Sequence, residues 1–170
     1  GPAYNTIRTK ELMEAGHVAK LDIKVLLLKH NEQTFNRYED EIQYLIGHEK
    51  RNKFISNLAL DLKGNTLVLF TRVENHGKIL HDIINSKAGE DRHIFFVHGG
   101  VDVEERESVR EITECEDNAI IIASYGVFST GINIKNLHNV IFASPSKSRI
   151  RNLQSIGRVL RKGANKSKAM

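Results

Sequence analysis

Residues 119–133 read AIIIASYGVFSTGIN. The run Ala119–Ala123 is strand-sized and apolar without a break. A strand with one wet face alternates polar and apolar residues, so an unbroken run points to a strand buried on both faces, as in parallel sheets. The adjoining stretch, Ser124–Asn133, is rich in small residues and holds two glycines. It reads as a connection in which backbone amides can approach a ligand closely, with the hydroxyls of Ser124, Ser129 and Thr130 suited to phosphate oxygens.

The same kind of run recurs on either side. TLVLF (66–70), IFFV (94–97) and VIFA (140–143) are further strands of this type. Segments at helical spacing separate them. Ile79, Leu80, Ile83 and Ile84 mark one helix. Asp102, with Glu105 three residues on, looks like the start of a second that continues through Val109 and Ile112. Lys147–Arg161 forms a third. Unbroken apolar strands alternating with amphipathic helices define an α/β fold with a mostly parallel central sheet and helices on both faces. Ligands of such sheets bind beyond the carboxyl ends of the strands. The connections expected to carry function are therefore Thr71–Gly77, His98–Val101, Ser124–Asn133 and Ser144–Lys147.

Upstream, Thr9–Gly16 reads as a short helix. Val18–His30 alternates with strand period, placing Leu21, Ile23, Val25 and Leu27 on one face. Tyr38–Lys63 reads as two helical pieces broken at Gly47, with Gly64 as a stop.

The chain of 170 residues, 40% hydrophobic, suits one domain with an appendage. Its apolar runs fall far short of the roughly 20 residues of a membrane span. No apolar leader region is visible at the N-terminus, and Gly1-Pro2 reads as a remnant of protease cleavage. Cys115 is the single cysteine, so no disulfide can form within the chain. A reducing, cytoplasmic setting and a buried, inert thiol are expected. Charge is unevenly spread. Residues 118–170 carry nine Lys and Arg and no Asp or Glu, while residues 1–117 carry 16 basic and 21 acidic residues. A basic half of this kind points to a polyanion partner.

A phosphate-binding loop of the form G-x-x-x-x-G-K-[ST] is missing: Gly77-Lys78 is followed by Ile79, and position 72 is arginine. Asp40-Glu41-Ile42-Gln43 imitates an acidic metal-binding box but lies within a helical stripe. His48-Glu49 lacks the second histidine of a zinc protease helix, and no metal site is expected. QSIGRVLRKG (154–163) remains. Arg158 and Arg161 are neighbours on one helical face. Gly157 beside them costs a helix about 1 kcal/mol relative to alanine, which suggests close packing or close approach of a ligand. Arginine binds phosphate oxygens in a planar, bidentate fashion. On these residues alone, a solvated amphipathic helix stands level with an anion site.

Taken together, the two segments resemble a known pair. Ser124, with Thr130-Gly131-Ile132-Asn133, and Gln154, with Gly157-Arg158 and Arg161, are similar to motifs V and VI of superfamily 2 helicases, in the right order and at the right spacing. TLVLFTRVEN (66–75) resembles motif IV, and VHGGVDVEERE (97–107) resembles the family segment that closes on an arginine, here Arg106. Over most of the chain the likeness is to the recombination and repair helicases of phages.

The resemblance implies a RecA-like three-layer fold acting as the second motor domain of an ATP-dependent DNA helicase. Residues 3–37 would be an N-terminal helix and edge strand joining from the first motor domain. Residues 38–163 would be the helicase C-terminal RecA-like domain, and 164–170 a basic, frayed tail. ATP with Mg²⁺ would be bound mainly by the first RecA-like domain, so this chain alone would not hydrolyse it. Arg161 would be the arginine finger, Arg158 a second phosphate contact, and Gln154 a sensor of the γ-phosphate. Gly131 and Asn133 would line the nucleotide. Thr71, Arg72, His98, Gly99, Ser124 and Thr130 would touch DNA, branched or single-stranded, through its phosphates. Two alternatives stay open: a non-catalytic RecA-like nucleic-acid-binding module, and a double-stranded DNA translocase domain of a restriction or remodelling enzyme.

Overall fold

The computed structural model describes residues 9–31, 33–130, 133–146, 148–159, 161 and 168–170. In chain order the elements are α1 (Thr9–Glu14), β1 (Lys20–Leu21), α2 (Tyr38–Gly47), α3 (Glu49–Asp61), β2 (Thr66–Phe70), a π-helical turn (Val73–Gly77), α4 (Lys78–Lys87), β3 (Ile94–Val97), α5 (Val103–Cys115), β4 (Ile120–Ser124), α6 (Tyr125–Thr130), β5 (Asn139–Phe142), α7 (Arg149–Val159) and β6 (Lys168–Ala169).

The four apolar runs form one sheet in the order β3-β4-β2-β5, and every pair is parallel. Their side chains divide between two cores with strict period 2. Leu67 and Leu69 of β2 and Ile121 and Ala123 of β4 face one side, with Val109 of α5, Phe128 of α6 and Val159 of α7. Val68 and Phe70 of β2 and Ile120 and Ile122 of β4 face the other, with Ile55 and Ala59 of α3 and Leu80 and Ile84 of α4. Helices thus cover both faces, and the unbroken apolar runs are explained: each residue of β2 is buried, whichever way it points.

Local signals account for several boundaries. His48 separates α2 from α3, and its Nδ1 accepts the Arg51 N–H at 3.3 Å. Gly64 stops the chain after α3 at φ 86°, a region that favours glycine. The Asp102 carboxylate caps α5 by accepting from the Glu105 N–H at 2.8 Å.

Four expectations are corrected. The strand over Val18–His30 is reduced to Lys20–Leu21, because beyond Leu21 no neighbouring strand among the described residues satisfies the extended backbone. Of the Thr71–Gly77 connection only Thr71 and Arg72 remain: the rest coils into the π-helical turn and buries His76 and Gly77. Ser124–Asn133 is not an open loop, since Tyr125–Thr130 forms α6, which seats Val127 and Phe128 in the core. Cys115 is exposed. Val109 and Thr113 set the buried face of α5, and Cys115, two residues past Thr113, falls on the opposite side.

No described helix is long and apolar enough to cross a membrane.

Candidate functional site

Parallel pairing places the carboxyl ends of β3, β4, β2 and β5 along one edge of the sheet. Phe70 pairs with Ser124, Val97 with Ala123, and Leu69 with Phe142, so the residues just beyond them are neighbours in space. Thr71 and Arg72, His98 and Gly99, Ser124, and Ser144 accordingly share this edge.

A polar network ties the connections together. Ser144 is buried just past β5. Its Oγ accepts the Thr71 N–H at 3.0 Å and lies 2.9 Å from His76 Nδ1. Its carbonyl accepts from Tyr125 Oη at 3.2 Å. The Arg51 guanidinium donates to the neighbouring Ala143 carbonyl at 2.6 Å. Burial and the nearby Arg51 charge lower the His76 pKa to about 4, so the ring is neutral at pH 7. Burial also pushes the Tyr125 hydroxyl up to about 12, which keeps it a donor. Four elements are thereby anchored on the end of β5. Sequence reasoning had placed Ser144 in a functional connection but had not found this network. Its members are 19 to 92 residues apart, and short-range patterns do not reach that far.

The His98–Gly99 connection is held differently. His98 Nδ1 accepts the Gly100 N–H at 3.1 Å, its ring leans on Phe96 at 5.1 Å, and Arg106 donates back to the Gly99 carbonyl at 3.2 Å. Arg106 therefore braces the loop from α5. Arg72 is exposed and forms an ion pair with Glu39 of α2 at 2.7 Å.

The two arginines at the end of α7 lie beside α6. Arg158 sits over the Phe128 ring, 5.6 Å from its centre. The Arg161 N–H donates to the Arg158 carbonyl at 3.3 Å, continuing the helical turn. The Arg161 guanidinium donates to Asn133 Oδ1. Burial, and then the charge of Arg161, lower the pKa of Arg158. Two cations are thus held against each other next to a neutral amide, an arrangement that an anion relieves. The donors gathered here, guanidinium N–H groups, suit phosphate oxygens. Among the described residues no group of three His, Cys, Asp or Glu converges to hold a metal ion. Gly131 lies outside the described residues, as do the side chains of Gln154 and Thr130. The structure brings Arg158, Arg161 and Asn133 into one cluster and sets Thr71, Arg72, His98, Gly99 and Ser124 along the carboxyl edge of the sheet.

Comparison with known proteins shows the family and the fold. Residues 49–163 match the family described as "Helicase conserved C-terminal domain". The ATP-dependent DNA helicase uvsW of Enterobacteria phage T4 is 40% identical, over 98% of this chain and 34% of its own length. The crystal structure of T4 UvsW superposes with a TM-score of 0.66 at 43% identity, covering 79% of this chain and 27% of that one. Domain 2 of the DEAD-box helicase Mss116p, solved with an RNA duplex, superposes at 0.52 with 18% identity over 76% of this chain and 48% of that one, a likeness of fold. The chain spans about a third of the curated relative it matches.

Proposed function

The chain belongs to the helicase conserved C-terminal domain family, and from that premise we propose that it is the second motor domain of an ATP-dependent DNA helicase or translocase. Its substrates are branched recombination and repair intermediates, a reading supported by the likeness to the phage helicase. The nucleotide, ATP with Mg²⁺ held mainly by the first RecA-like domain, supplies the phosphoryl group whose transfer spreads negative charge over its oxygens.

Arg161 is the arginine finger. The observation that carries this assignment is its hydrogen bond to Asn133, which joins the end of α7 to the segment after α6. Asn133 is neutral and offers one acceptor, so a phosphate, which brings full negative charge and accepts in a bidentate fashion, competes well for the guanidinium. Arg158, held over Phe128, is the second phosphate contact. Gln154 senses the γ-phosphate, and Gly131 and Asn133 line the nucleotide. Thr71, Arg72, His98, Gly99, Ser124 and Thr130 form the nucleic-acid track, reading phosphates rather than bases. Closure of the two motor domains around the nucleotide, and their reopening, would move the strand along that track.

The test is Arg161→Ala in the full-length protein. ATP turnover should fall by about 10³-fold or more, with ATP binding nearly intact. Turnover close to that of the parent protein would remove the finger role, and ATP hydrolysis by the 170-residue chain alone would remove the half-site assignment.

A further inference from the structure

Four rings that stand apart in the sequence meet on the outer side of α2. The Tyr44 ring lies 5.2 Å from Phe35, 5.4 Å from His48 and 5.9 Å from His30, centre to centre. His30 and His48 are 6.4 Å apart. Neither hydrophobic core includes any of the four. Ile42 and Ile46 set the buried face of α2. At about 100° per residue, Tyr44, midway between them in sequence, projects to the opposite side. Phe35, Tyr44 and His48 are half-buried and His30 is exposed. The ring planes are inclined by 43° to 85°, so no ring of the cluster covers another face to face.

The cluster stands at the carboxyl edge of the sheet. At the start of α2, Glu39 pairs with Arg72, just past β2, at 2.7 Å. Beyond the end of α2, Arg51 donates to the carbonyl of Ala143, just past β5, at 2.6 Å. Both ends of α2 are thus tied to the edge that carries Thr71 and Arg72. Lys29 and Lys50 line the same concave surface as His30, Tyr44 and His48. Among the described residues neither lysine forms an ion pair, whereas Glu39, Asp40 and Glu49 are matched by Arg72, Arg37 and Lys53.

We propose that this cluster is a stacking platform for the unpaired bases of single-stranded DNA, with Lys29 and Lys50 taking its phosphates. The inference rests on the reading of the adjacent edge as a nucleic-acid track, and extends that track from phosphates to bases. Ring faces beside unmatched cations are the combination that holds single strands. A protein-docking surface, by contrast, is depleted in lysine. Every base has a π-face, so the platform is indifferent to sequence. Bases within a duplex are already stacked on one another and offer no free face, so the platform separates unpaired from paired DNA.

The experiment titrates the 170-residue chain with a thymidine oligonucleotide carrying one 2-aminopurine, whose fluorescence falls on stacking, and with a blunt duplex of equal length. The single strand should bind with quenching of the probe. Tyr44→Ala should weaken that binding by about 5-fold or more, the scale of one lost base–aromatic stack. It should also abolish the quenching and leave duplex binding and the salt slope unchanged. Tyr44→Phe keeps the ring and should restore both affinity and quenching, which a fault of folding in Tyr44→Ala would not predict. Lys50→Ala should lower the slope of log K against log salt by about 1. An unquenched probe on the parent chain would overturn the proposal. So would equal losses for single strand and duplex in Tyr44→Ala, or a Tyr44→Phe variant as weak as Tyr44→Ala. Arg72→Ala in the same titrations tells the two readings apart. Weakened binding there with an unaltered Tyr44→Ala would keep the track and remove the platform, and the reverse result would keep the platform and take Arg72 off the track. A chain that binds neither DNA would overturn both.

Discussion

His76 Nδ1 lies 2.9 Å from Ser144 Oγ, joining the turn after β2 to the end of β5 across 68 residues of sequence. The ring is fully buried, and burial, with the nearby charge of Arg51, lowers its pKa from 6.5 to about 4.

This relationship makes stability pH-dependent with a definite sign. Between pH 6.5 and about 4 the unfolded chain binds a proton at His76 that the folded chain does not. The stabilisation is therefore complete above pH 6.5 and is lost as pH falls towards 4. Its size is of order 3 kcal/mol. Urea midpoints measured at about pH 7 and about pH 5 should differ, and His76→Gln should flatten the difference. A variant whose midpoint still falls as steeply would remove His76 as the cause.

Asn65 is a second anchor. Its buried amide donates to the carbonyls of Thr113, Glu116 and Asn136, and its Oδ1 accepts the Ala119 N–H at 2.8 Å. One side chain thus secures the starts of β2 and β4 to the end of α5. Asn65→Ala leaves several backbone groups unsatisfied and should cost about 2–4 kcal/mol. Asn65→Asp keeps the shape but loses the donors, so it should also destabilise at pH 7. Chemical denaturation of both variants is the check, and a near-neutral Asn65→Asp would refute the donor role.

Gly77 lies against the Phe70 ring. A Cβ there would meet ring atoms at 2.6 Å, and Phe70 is fully buried between β2 and α4. Gly77→Ala should destabilise by about 1–3 kcal/mol through overpacking, despite alanine's better helix propensity. A stabilised variant in thermal melts would show that the ring has room to move.

Arg72 shares its charge with Glu39 at 2.7 Å on the rim of the proposed track. Glu39→Gln should release it and strengthen nucleic-acid binding at low salt. Arg72→Ala should weaken binding without regard to sequence and lower the slope of log K against log salt by about 1. Titration of labelled single-stranded DNA across a salt series measures both. An unchanged slope in Arg72→Ala would take the residue off the track.

The central sheet was legible because a strand buried on both faces has no choice but to be apolar throughout, and four such runs stand in the chain. The Asp102 cap and the break between α2 and α3 were legible because they act over three or four residues. The Ser124–Asn133 connection was misread: two core side chains, Val127 and Phe128, outweighed the glycines and coiled the segment into α6. Val18–His30 was misread for the opposite reason. Its alternation is that of a strand, but a strand forms only where a neighbour completes its hydrogen bonds, and beyond Leu21 none stands among the described residues.

Residue order alone established the parallel α/β fold, which rests on local periodicity, while the pairing of an arginine helix with the segment one strand earlier rests on the resemblance to helicase motifs V and VI. The meeting of Arg161 with Asn133 and the anchoring of Thr71, His76 and Tyr125 on Ser144 arose only on folding. Those contacts join residues brought together by strand order, and strand order is set by how two faces of a sheet can be covered at once, a condition no single stretch of sequence contains.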